Sequence, residues 1–175
     1  MQKVVPLILL ISFWLLPGVG ISQQKNKLWQ PWEEVIATAR TTKKPIFIDV
    51  YTNWCRYCRI MDATTYRNDS VVHYLKQNYL RYKFNAEGKD TIRWNGKVFS
   101  FNHRYNTHDF AIYLTRGNIL YPTTVIITPG GQPFFKHGQI EVTEMEMLLK
   151  YFAETKVQEL PLEQFAKSFQ PLWRK

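Results

Sequence analysis

The chain has 175 residues, 45% hydrophobic and 15% aromatic, with 23 Lys and Arg against 14 Asp and Glu and a net charge of +9. That length and apolar content fit one folded domain and exclude a disordered chain. Two cysteines exclude a disulfide-dense scaffold and any zinc site of four thiolates, and the basic residues are scattered, with no run longer than Lys43-Lys44, which reads as a solvated surface rather than a nucleic-acid footprint.

Residues 1–22 carry one charge, Lys3, then the apolar run Val4 to Leu16, a Pro17-Gly18 break and the small residues Gly20 and Ser22. A basic start, an apolar core of about a dozen residues and small residues at −3 and −1 predict a cleaved secretory signal peptide. The alternative is an uncleaved membrane anchor, for which the run is short. A polar lead-in covers 23–31. Trp32, Val35, Ile36 and Ala39 then lie on one face of a helix, with Pro31 at its first turn. Pro45 to Thr52 (PIFIDVYT) reads as a buried strand, and Trp54 to about Tyr66 as a helix that opens at the cysteines. A further helix opens at Asp69 or Ser70 and buries Val72, Leu75 and Tyr79; Leu80 to Glu87 alternates as a strand.

Asp90 to Phe101 carries a hairpin signature, because Asn95-Gly96 supplies the φ > 0 pair of a type I′ turn. Trp94, Phe99 and Phe101 in this insertion read as local core. His108 to Leu114 reads as a short helix ended by Gly117-Asn118, Thr123 to Thr128 as a strand, and Gln132 to His137 as another after Pro129-Gly130-Gly131. Thr143 and Glu146 fit a capping box for a helix burying Met145, Leu148, Leu149 and Phe152, and Leu162 to Trp173 is an amphipathic tail. The fold class is α/β, with parallel strands first and an antiparallel pair at the end.

The chemistry lies in Trp54-Cys55-Arg56-Tyr57-Cys58, which follows a buried strand and opens a helix. A thiolate at a helix N-terminus meets unpaired N–H groups and the positive end of the dipole, so its pKa falls. Cys55 is expected to be the exposed attacking thiol, assisted by the Arg56 charge, and Cys58 the resolving one. Haem attachment would need a histidine at position 59, which is Arg. His73, His103, His108 and His137 show no standard metal spacing, so no metal is expected. Asp49, inside an apolar strand, is expected to be buried with a raised pKa.

These residues resemble the thioredoxin superfamily over roughly Trp32 to Thr155. Asp49, six residues before Cys55, resembles that family's buried acid, and Lys83 resembles the lysine that pairs with it. Tyr121-Pro122-Thr123 resembles the cis-proline loop, and Gly138 the glycine of the substrate-facing groove. Met61, Thr65-Tyr66, Asp69, Val72 and Leu75 are similar to the exported subgroup that includes the C-terminal domain of the transmembrane thiol:disulfide interchange protein. The resemblance implies a thioredoxin-like domain over 32–157, interrupted by the hairpin at about 90–101 and followed by a helical tail at 158–175. It implies catalysis by Cys55, Cys58, Asp49 and Lys83, with Trp54, Arg56, Tyr57, Tyr121, Pro122, Thr123 and Gly138 meeting the client. No cofactor beyond the cysteine pair is implied. Arg56-Tyr57, the hairpin and the tail depart from the basic pattern.

The expected protein is a periplasmic, monomeric thiol–disulfide oxidoreductase acting on disulfide-containing exported proteins and recharged by a membrane electron donor, with no nucleic-acid partner. The alternative is a thioredoxin-fold chaperone or adaptor that binds exported proteins without redox turnover.

Overall fold

The computed structural model describes residues 27–155 and 159–174. The expected signal peptide and residues 23–26 of the polar lead-in lie outside them. Among the described residues no helix is long and apolar enough to cross a membrane.

Helix α1 (Trp32–Ala39) leads into β1 (Ile46–Tyr51), α2 (Arg56–Ala63), a 3₁₀ turn (Thr65–Arg67), α3 (Asp69–Asn78) and β2 (Leu80–Asn85). The helix expected from Trp54 to Tyr66 is thus broken at Thr64. Two short ladders follow, β3 (Ile92–Trp94) with β4 (Lys97–Phe99) and β5 (Phe101–Asn102) with β6 (Thr107–His108). Helix α4 (Asp109–Leu114), β7 (Thr123–Ile127), β8 (Phe134–His137), α5 (Val142–Glu154) and α6 (Leu162–Ser168) complete the chain. The main sheet has the order β2-β1-β7-β8, with β1 and β2 parallel and β7 antiparallel to both β1 and β8. This is the expected α/β class, with a mixed sheet flanked by helices.

Side chains alternate across β1 and divide the core. Ile46, Ile48 and Val50 join Trp32, Val35, Phe84 and Phe110 under α1, α4 and the hairpin. Phe47 joins Met61, Leu75, Leu149 and Ile126 under α2, α3 and α5. Asp49 therefore points to the α2 side. The hairpin turn forms as expected, with Asn95 at φ 49° and Gly96 at φ 73°. Ile92 and Phe99 are core, and Trp94 packs on Trp32 at 5.7 Å between centroids. Phe101 is not core: it belongs to the second ladder and faces His103.

The excursion from 87 to 107 closes at its neck. The Ala86 carbonyl accepts the His108 N–H at 2.7 Å and the Thr107 hydroxyl at 3.1 Å, while the Ala86 N–H donates to Tyr51 O at 2.8 Å.

Four local expectations are corrected. Val71, not Val72, is buried in α3 alongside Leu75, because the helix starts at Asp69 on an Asn68 cap whose side chain accepts from Ser70 and Val71 N–H. The Thr143–Glu146 capping box does not form. Helix α5 starts two residues earlier, at Val142 after Glu141, so Glu146 faces inward and is fully buried. It accepts from Lys150 Nζ at 2.7 Å and from the N–H groups of Leu172 and Trp173 at 2.8 Å each, which ties the tail to the domain. Tyr151 is buried in α5 while Phe152 is only half-buried. Strand β8 begins at Phe134 rather than Gln132, directly after Pro133, which has no N–H to give a ladder.

Candidate active site

Strand β1 ends at Tyr51, and the chain turns through Thr52–Trp54 to place Cys55 at the N-cap of α2. Cys55 and Cys58 form a disulfide, and the Cys58 N–H points at Cys55 Sγ, 3.1 Å away. In the reduced protein that N–H and the helix dipole favour a Cys55 thiolate. The expected exposure of Cys55 is corrected: it is 4% accessible in the disulfide form, close to Cys58. What projects instead is its flank, with Trp54 at 65% and Tyr57 at 58% exposure, and Arg56 also exposed.

On the α2 side of β1, strand register assembles a charged cluster. Asp49 stands opposite Lys83 on β2 and Thr124 on β7. Lys83 Nζ lies 3.3 Å from Asp49 Oδ2 and also contacts Asp62 Oδ1, over the Tyr51 ring at 4.9 Å. Asp49 is 1% accessible, and burial raises its carboxyl to about 6 against the pull of Lys83, with Asp62 adding a smaller push upward. Asp49 Oδ1, Thr52 Oγ1, Tyr66 OH and Thr124 Oγ1 are buried without a protein partner at hydrogen-bond geometry. Tyr66 is nonetheless near enough for its phenol to be held well above its usual range, first by burial and then by Asp49.

The other expected site residues gather at the same end of the sheet. The Tyr121–Pro122 bond is cis, and Pro122 precedes β7, whose Thr123 pairs with Val50. The Tyr121 ring meets Trp54 edge-on at 5.9 Å. Gly138, at φ 90°, donates its N–H to Pro122 O at 2.9 Å, a conformation that suits glycine. Thr123 Oγ1 donates to Leu120 O at 2.5 Å and so accepts from His137 Nδ1, 2.7 Å away. Burial lowers the pKa of His137.

Several members were not read from the sequence. Asp62 follows Cys58 by four residues, one helical turn, and that spacing was the available signal. Glu87 and Thr107 have no sequence signal, because they arrive from the two ends of the excursion. Glu87 accepts from Trp54 Nε1 at 2.8 Å, and the Thr107 hydroxyl lies 3.1 Å from Tyr121 OH. Among the described residues no group of three or more His, Cys, Asp or Glu could hold a metal ion.

Comparison with known proteins identifies the relatives. The family described as "Protein of unknown function, DUF255" (Thioredox_DsbH) matches residues 21–159. The chain belongs to this family. Within the wider set of thioredoxin folds, the Thioredox_DsbH chain superposes on a thioredoxin-fold protein from Helicobacter pylori with a TM-score of 0.53 at 15% identity, covering 71% of this chain and 79% of that one. That likeness concerns the fold. In sequence, spermatogenesis-associated protein 20 of Rattus norvegicus and of Homo sapiens are each 28% identical over 107 residues, 61% of this chain. The chain spans only 12% of the length of those proteins. A thioredoxin-like fold with a cysteine pair at this spacing supports a redox enzyme in general.

Proposed function

We propose that this Thioredox_DsbH chain is a periplasmic thiol–disulfide oxidoreductase that reduces or exchanges disulfides in exported proteins. One observation carries the reading: the Cys55–Cys58 disulfide caps α2, and the strand that leads into it buries Asp49 paired with Lys83, which also contacts Asp62 of α2. A binding module has no use for a buried carboxylate at that place.

The cycle follows from the groups present. The Cys55 thiolate attacks a client disulfide, forming a Cys55–client bond and releasing one client thiolate. Asp49 then takes the proton of Cys58, and the Cys58 thiolate attacks Cys55 Sγ. The second client thiolate leaves, two electrons have passed to the client, and the Cys55–Cys58 disulfide remains. A carboxyl near 6 is charged at neutral pH and still basic enough to take the proton. Trp54, Arg56 and Tyr57 form the client-facing flank, with Tyr121, Pro122, Thr123 and Gly138 opposite. A dithiol donor returns the two electrons, and in an exported compartment that role falls to a membrane partner. Without a histidine between the cysteines, the couple is expected below roughly −180 mV, as a reductant or isomerase.

Insulin reduction with a dithiol donor tests the reading. Cys55→Ser is expected to abolish turnover, and Cys58→Ser to accumulate Cys55–client mixed disulfides that thiol-reactive gels resolve. Equal rates for wild type and Cys55→Ser would leave the chaperone or adaptor reading. Fractionation of cells expressing the full chain, with sequencing of the N-terminus, tests export and cleavage after Ser22.

A further inference from the structure

A second concave surface lies at the far end of the sheet from the disulfide. Helix α1 and the β3–β4 hairpin enclose a cleft of about 470 Å³ with Ile36, Ala39 and Trp94 as its apolar lining and Arg40, Arg93 and Lys97 on its walls. Through Ala39, Trp94 and Asn95 it continues into a hollow of about 310 Å³ that reaches Lys44, Ile46 and the turn at Thr128–Pro133. Ile46 opens β1 and pairs with Ile127, so the trough sits one strand length, roughly 20 Å, from the end that leads to Cys55.

Its electrostatics are one-sided. No carboxylate lines either hollow. Among the described residues, Arg40, Arg93 and Lys97 form no ion pair. Its outer strand is also unfinished. In a two-residue hairpin closed by Trp94 and Lys97, the Arg93–Val98 pair is the non-hydrogen-bonded one, so the N–H and C=O of Val98 face away from β3. No backbone partner receives them, and the Val98 side chain is exposed.

We propose that this trough docks an extended acidic segment of a partner polypeptide, separately from the redox site. The unpaired cations would meet its carboxylates, with guanidinium groups able to bind them in bidentate fashion. Apolar side chains between the acids would rest on Trp94 and Ile36, and the free edge of β4 offers main-chain pairing. An elongated trough with a strand edge favours a peptide over a phosphate or a lipid headgroup, which would use the charges alone.

The test uses the full chain and a fluorescein-labelled peptide, acetyl-Glu-Phe-Glu-Leu-Glu-Glu-amide, followed by anisotropy at low salt. Saturable binding is expected, and a counterpart with lysine at every glutamate should not bind. Arg93→Glu with Lys97→Glu on the hairpin, and independently Arg40→Glu on α1, should each weaken binding by at least about tenfold. Raising salt to several hundred millimolar should weaken the wild type similarly. Insulin turnover should be unchanged in all variants, which shows that they are folded and keeps this result separate from the redox reading. Unchanged affinity in both variants, equal binding of the lysine peptide, or no saturable binding by the wild type would overturn the proposal. So would binding of phosphatidylglycerol vesicles without binding of the peptide.

Discussion

At the scale of single residues, Asp49 carries a cost that its proposed role would explain. Its folded carboxyl sits near 6 against an ordinary value of 3.8 because burial disfavours its charge. Between those two values the folded state holds the proton that the unfolded chain has lost, so this group's contribution to stability falls as pH rises from about 4 to about 6, then stays level. Asp49→Asn removes the charge without changing shape. It is expected to raise stability at pH 7 by up to about 3 kcal/mol, with the gain vanishing below about pH 4. Urea unfolding of both proteins across pH checks this. The same variant should slow release of the mixed disulfide at neutral pH, which stopped-flow thiol exchange reads, while leaving Cys55 alkylation present. Tyr66→Phe removes a buried hydroxyl beside the carboxylate, and the pH midpoint of resolution should shift while turnover persists. The sequence was informative about Asp49 and the cysteines because they stand at fixed offsets from one another along the chain, and about Lys83 through its resemblance to the family's paired lysine. It was silent about Tyr66 facing Asp49, since that proximity depends on how a 3₁₀ turn closes after α2.

Elements show where local pattern ends. The main-sheet strands, the β3–β4 hairpin and most helices follow directly from periodicity and turn residues, as Asn95-Gly96 illustrates, whereas the β5–β6 ladder does not. The Thr143–Glu146 spacing was misleading because the same residues serve two kinds of partner. A glutamate three places after threonine can reach back to its own helix, or turn inward to meet another segment. Glu146 does the second, and its partners come 26 and 27 residues later in the chain. Nothing local announces that choice. Glu146 holds the tail by two main-chain bonds, while Trp173 lies 5.4 Å from Tyr74 and within 5.7 Å of Lys150. Glu146→Ala would strand Lys150 and two N–H donors, costing about 3 kcal/mol and raising amide exchange at Leu172 and Trp173. Glu146→Gln keeps an acceptor and should lose less. Equal exchange rates in wild type and Glu146→Ala would show that the tail is held by its aromatic contacts alone.

For the whole molecule, the sheet brings distant parts of the chain to one end. Trp54 lies on the β1–α2 connection and Tyr121 on the approach to β7, and the two rings touch. Each is also held from the excursion, by Glu87 at its start and Thr107 at its finish. Because the neck is bonded to Ala86 and Ala86 to Tyr51, the hairpin can come away without parting β1 from β2. Native-state hydrogen exchange should therefore find the Ile92 and Phe99 amides opening together, at lower free energy than Ile48 and Val125. Identical opening energies would mean one cooperative unit. The neck has a consequence for the rim above the cysteines. Breathing of the excursion loosens both aromatic walls at once, since its two ends grip one wall each. On the proposed redox reading, clients of different girth would then be admitted by a segment that takes no part in the chemistry.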